Sequence, residues 1–209
     1  GTIIARNADY LSATQTLLCY NGTVIFEGCR NMTNAGRVHS SDFFSGVSVY
    51  SDCDVNYADG AFTGTIGGGF NDEASSTYII DSHYGAGPGS MTGVSYFYME
   101  NSDILASPIA ATNNTSILTD VSSYVAVNSH LRFPDGILTI QKEGRILLRF
   151  IDCGVIELDP IESEPQDGAS SEIKGYDIAI TGTEFGCCSS ALVQLDGSEF
   201  SRPLDVYVA

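Results

Sequence analysis

Residues 48–62 read SVYSDCDVNYADGAF, a run in which Asp52, Asp54, Asn56 and Asp59 alternate around Cys53. Two readings compete for it. The spacing resembles an oxygen-ligand calcium loop, but an EF-hand loop wants Gly at its sixth position and a bidentate Glu at its twelfth. Counting from Asp52, those positions hold Tyr57 and Thr63. Carboxylates two apart on an extended strand project in parallel about 6–7 Å from each other, which does not wrap an ion. The strand reading fits better. Asp59-Gly60 is the favoured dipeptide of a two-residue type I′ hairpin. With that turn, Tyr57 faces Phe62, Val55 faces Gly64, Cys53 faces Ile66 and Val49 faces Phe70, an almost uniformly apolar side. Asp52, Asp54 and Asn56 then form the wet side, and Cys53 points inward.

Working outward, period-2 segments recur along the chain. They include TVIFEG (23–28), STYIID (76–81), GVSYFYM (93–99), SSYVAV (122–127), RILLRFI (145–151), YDIAIT (176–181) and ALVQL (191–195). A second hairpin is expected in GILTIQKEGRILLRF (136–150), turning at Lys142, Glu143 and Gly144. One short helix is allowed at YLSATQTLL (10–18), and no repeat of fixed period is apparent. Gly, Pro, Asn and Asp clusters separate the strands. The expected fold is therefore all-β, an antiparallel β-sandwich or barrel of jelly-roll type with long Gly/Ser/Asn-rich loops. A single β-rich domain over 1–209 is expected, with a weak boundary near 101–116.

Composition limits the function classes. With 26 Asp plus Glu against 9 Lys plus Arg, the net charge is −17, which disfavours nucleic acid and anionic membranes as partners. No apolar run approaches the ~18 residues of a membrane helix, so no membrane insertion is expected. The chain opens at Gly1 without a basic or apolar leader, which reads as a mature or excised piece.

Six cysteines, Cys19, Cys29, Cys53, Cys153, Cys187 and Cys188, are an even set without a C-x-x-C pair, and they read as disulfide candidates of an oxidising compartment. Sequons at Asn21, Asn31, Asn113 and Asn114 are glycosylation candidates that point the same way. The expected location is extracellular, on a cell or virion surface.

Candidate chemistry is sparse. The acidic loop around Asp159, Glu162, Glu164 and Asp167 is the better place for calcium, since irregular backbone can turn several oxygens inward. It reads first as a solvated acidic loop, and no other cofactor is implied. His39, His83 and His130 are the only imidazoles, and the G-x-S-x-G elbow does not occur. Glycine clusters at 64–70 and 85–90 lack the Lys and Ser/Thr of a phosphate loop. In SYFYMEN (95–101), Tyr96 and Tyr98 share one face while Phe97 shares the other with Met99. Tyr96, Phe97 and Tyr98 are interface candidates, for a partner subunit or for sugar stacking.

The expected function is a non-enzymatic structural or attachment module, a spike, fibre or filament subunit. It would form a homo-oligomer and bind a glycan or protein receptor. The alternatives are a secreted glycan- or ester-acting hydrolase and a calcium-dependent adhesion module.

Overall fold

In the computed structural model, residues 1–9, 12–13, 17–18, 22–30, 33–34, 38–39, 47–56, 75–85, 94–105, 109–111, 121–134, 136–140, 145–160, 175–180 and 190–208 are described. The alternation read in TVIFEG is real: Val24 and Phe26 are buried while Thr23, Ile25 and Glu27 are half-buried. The same inward choice recurs at Tyr50, Ile79, Phe97, Met99, Tyr124, Ala126, Ile146, Leu148 and Phe150. Each large apolar side chain so buried contributes roughly 1.5–3 kcal/mol.

These segments stack as one face of a parallel stack. Strands Thr2–Arg6, Thr23–Glu27, Val47–Ser51, Ser75–Ile80, Val94–Glu100 and Val121–Val127 each pair with the next in sequence. The series continues through the first half of Arg145–Leu158 into Ser190–Phe200. Every one of these pairings is parallel, so the chain must return to the same end of the sheet between successive strands. Among the described residues, the connections carry further strands and no helix. A second face stacks Asp54–Asn56, His83–Gly85, Asp103–Leu105, His130–Phe133 and the end of Arg145–Leu158. A third stacks Ile109–Ala111, Leu138–Ile140, Ile178–Ile180 and Val206–Val208. The chain is wound as a parallel β-solenoid around an apolar interior.

The corner between the first and second faces is written in the sequence. Asn7, Gly28, Asp52, Asp81, Asn101, Asn128, Asp152 and Gly197 all have positive φ, between 45° and 62°. Asn, Asp and Gly are the residues that tolerate this left-handed conformation. Each is followed by a small residue: Ala8, Cys29, Cys53, Ser82, Ser102, Ser129, Cys153 and Ser198. The serines bind neighbouring coils together. The backbone N–H of Cys53 donates to Ser82 Oγ at 3.0 Å, that of Ser82 to Ser102 Oγ at 3.1 Å, and that of Ser102 to Ser129 Oγ at 3.1 Å. Inside the tube, Phe26 stacks on Tyr50 with ring centroids 5.2 Å apart, and Phe97 on Tyr124 at 4.5 Å.

This architecture overturns the antiparallel sandwich or barrel. Val47–Ser51 lies between two parallel neighbours, with Val49 opposite both Ile25 and Tyr78. No edge is left there for an antiparallel partner such as Phe70. At Asp52, with φ of 49°, the expected single strand breaks into two strands on different faces. Tyr57, Asp59, Gly60 and Phe62 lie outside the described residues. The second expected hairpin fails in the same way, because Leu138–Ile140 and Arg145–Ile151 each pair in parallel with other strands and belong to different faces. Within the stretch expected to allow a helix, Ser12–Ala13 and Leu17–Leu18 are short strands paired with Thr33–Asn34 and Val38–His39. The physical reason is common to the two hairpins. Parallel sheets buried on both sides read as continuous apolar runs, whereas this one is wet on its outer side and alternates as an antiparallel sheet does.

Candidate functional site

Two outer surfaces carry the residues with chemistry. On the first face, one outward row runs in register through Ile4, Ile25, Val49, Tyr78, Tyr98, Val125, Arg149 and Gln194. Tyr96 sits two residues before Tyr98 on the same strand, opposite Ser76 on one side and Ser123 on the other. The three tyrosine rings meet. Tyr78 and Tyr96 have centroids 5.8 Å apart, Tyr78 and Tyr98 6.2 Å, and Tyr96 and Tyr98 6.4 Å with nearly parallel planes. All three are half-buried, so they form a platform with accessible ring surface. Tyr98 donates its hydroxyl proton to Glu100 Oε2 at 2.9 Å. Partial burial, and for Tyr98 also Glu100, raises the pKa of Tyr96 and Tyr98, and the phenols stay neutral donors.

The expected trio of Tyr96, Phe97 and Tyr98 is thus divided by the pleat. Phe97 is 2% exposed and lies in the core against Tyr124. Tyr78 takes its place beside Tyr96 and Tyr98. Its signal was available in STYIID, but only the register of two coils shows that it meets Tyr98.

On the second face, residues from successive coils form a charged ladder. His83 Nδ1 lies 2.9 Å from Asp103 Oδ2, and His130 Nδ1 lies 3.0 Å from Asp103 Oδ1. The other nitrogen of His130, Nε2, is 3.2 Å from Glu157 Oε1. An imidazole can donate from both nitrogens only when protonated. Hydrogen bonds to Asp103 and then Glu157 accordingly hold the His130 pKa above its ordinary value. Arg132, two residues on, donates to Asp159 at 2.8 Å. His83 and His130 are 56% exposed, and their described partners are carboxylates rather than hydroxyls. His39 belongs to a two-residue strand, and its side chain lies outside the described ones.

The described acidic candidates, Asp52, Asp54 and Asp159, do not converge. Asp52 sits at a corner in an ion pair with Arg30 at 2.7 Å, while Asp54 is on the second face. Asp159 accepts from Arg132, and Glu162, Glu164 and Asp167 lie outside the described residues. Among the described residues, no group of three or more His, Cys, Asp or Glu could hold a metal ion.

Cys29, Cys53 and Cys153 carry free thiols in the corner column where other coils place serine. The Cys53 thiol has the carbonyls of Ser51 at 3.3 Å and Phe26 at 3.4 Å as acceptors for its single proton, and burial pushes its pKa up. A thiol held this way is a poor nucleophile. Cys19, Cys187, Cys188 and the sequon residues Asn21, Asn31, Asn113 and Asn114 lie outside the described residues.

The described arginine side chains are paired. Arg6 faces Glu27, Arg30 faces Asp52, Arg132 faces Asp159, Arg149 faces Asp196 and Arg202 faces Asp177. No described helix is long and apolar enough to cross a membrane. In comparisons with protein-family models, curated proteins and solved structures, no match is found.

Proposed function

We propose that the chain is a non-enzymatic attachment module, exposed on a cell or virion surface, that presents the outer side of its first face to a glycan or receptor. One observation carries this reading: three half-buried tyrosines, Tyr78, Tyr96 and Tyr98, cluster on the outer side of the first face, Tyr96 and Tyr98 nearly parallel and Tyr78 tilted 54° and 49° to them. Tyrosine supplies contact area at little conformational cost, and a clustered aromatic surface is the usual centre of a binding energy hot spot. Backbone pairing on both sides of each strand fixes the platform before a ligand arrives, which lowers the ordering cost of binding. The four sequons support an extracellular setting, and the net charge of −17 is compatible with a neutral glycan as partner.

Binding of the purified chain to cells and to an immobilised glycan panel tests the reading. The double variant Tyr96→Ala/Tyr98→Ala is expected to lose at least tenfold in affinity, about 1.4 kcal/mol, with the melting temperature little changed. Binding indifferent to both substitutions would contradict it.

A hydrolase is the second reading, favoured by His130 standing between Asp103 and Glu157. It requires turnover of a glycoside or ester that disappears in His130→Ala.

A further inference from the structure

We infer that the tyrosine platform takes an uncharged glycan chain, lying across Tyr78, Tyr98 and Tyr96, and that it rejects anionic ones. This deepens the attachment reading and rests on it. Three observations bear on the ligand.

The first is shape. Tyr78 and Tyr98 are in register on neighbouring strands, about 4.8 Å apart along the stack, and Tyr96 lies two residues along the strand from Tyr98. The three centroids form a nearly equilateral triangle with sides of 5.8, 6.2 and 6.4 Å. Neighbouring rings are therefore spaced by about the width of one sugar ring. Tyr96 and Tyr98 are nearly parallel and Tyr78 is tilted 54° and 49° to them, so the cluster offers ring faces and edges on which the apolar C–H face of a pyranose can rest.

The second is the rim. Ser76 and Ser123 flank Tyr96, and Glu100 accepts the Tyr98 hydroxyl at 2.9 Å. Hydroxyls and a carboxylate around an apolar centre match a polyol, whose ring face is apolar and whose edge donates and accepts hydrogen bonds.

The third is charge. An anionic sugar needs a cation to meet its carboxylate or sulfate, and Arg is the usual one. Each arginine side chain that the structure describes already faces a carboxylate. In the platform's own row that residue is Arg149, two coils from Tyr98 and paired with Asp196 at 3.4 Å. Glu100 at the rim and a net charge of −17 repel an anion further.

The test is titration calorimetry of the full chain with three hexasaccharides, a neutral unbranched β-glucan, an oligouronate and a sulfated oligosaccharide, each at low and at physiological salt. The neutral chain is expected to bind with an affinity changed less than threefold by salt. Tyr96→Ala and Tyr78→Ala should each weaken it at least tenfold, while Tyr96→Phe, which keeps the ring, stays within threefold of the parent. Arg30→Ala, at the corner beside Asp52, should leave it unchanged. Preference for either anionic chain, with the same tyrosine dependence, would overturn the inference and leave the attachment reading standing. If no hexasaccharide binds but a cell-surface protein is held through the tyrosines, the inference also fails and the attachment reading survives. If no binding of any kind depends on the tyrosines, both are wrong.

Discussion

Ser102 joins three coils through one hydroxyl and one amide. Its Oγ donates to the carbonyl of Glu100 at 2.7 Å and accepts from the N–H of Ser82, while its own N–H donates to Ser129 Oγ. Ser102→Ala strips the buried Ser82 N–H of its acceptor and is expected to cost about 1–3 kcal/mol. Ser102→Cys should cost less, because Cys29, Cys53 and Cys153 already occupy the same position with the thiol turned to a carbonyl. Urea denaturation midpoints check both, and an unperturbed Ser102→Ala would contradict the ladder. This column was printed in the sequence as Asp81-Ser82, Asn101-Ser102 and Asn128-Ser129, with Asp52-Cys53 and Asp152-Cys153 as variants. It escapes a search for fixed periods because linked residues are 29, 20, 27 and 45 positions apart. Stretches of different length between corners hide a repeat whose corners are constant. The interchange of Ser with Cys hides it further and turns ladder thiols into apparent disulfide candidates.

At the scale of elements, the second and third faces make different claims. His130 is faced by Asp103 from the preceding coil and Glu157 from the following one, with Arg132 on its own strand and His83 beyond Asp103. Its pKa is raised above 6.5 in the folded chain. The contribution is therefore full below the unfolded value, about 6.5, and is lost as pH rises through the higher folded value. Since the side chain is 56% exposed, the gain stays within the ~0–1 kcal/mol of surface pairs. The stability advantage of the parent over His130→Gln should shrink on going from pH 6 to roughly pH 8. An advantage that grows over that range would contradict the assignment. The last coil is held differently. Asp177 is 1% exposed and accepts from Arg202 at 2.6 and 2.8 Å and from the N–H of Asp205 at 2.9 Å. Asp177→Ala removes both short carboxylate contacts of the Arg202 guanidinium and the acceptor of the Asp205 N–H, and is expected to cost about 3–5 kcal/mol, read as a drop in the chemical denaturation midpoint. A loss under 1 kcal/mol, the scale of a surface pair, would show the pair to be solvated.

At the scale of the molecule, the all-β class was legible because alternation marks one buried face per strand, and the inward choices at Val24, Phe26 and Cys53 follow from it. Strand direction was not legible, because a period of two is the same in parallel and antiparallel sheets. Asp59-Gly60 offered a local turn, yet Val47–Ser51 is claimed on both sides by strands more distant in sequence. The tyrosine platform was half legible, since Tyr96 and Tyr98 declare their shared side within one strand while Tyr78 joins them only through the stacking of coils. That stacking is what the whole account depends on. Spin labels at Ile25 and Val125 are separated by four steps of the outward row, and labels at Ile25 and Gln194 by six. With about 4.8 Å per step, double electron–electron resonance should show the second distance exceeding the first by roughly 10 Å. Equal distances, or a shorter one for Ile25 and Gln194, would contradict parallel coils in register and with them the platform.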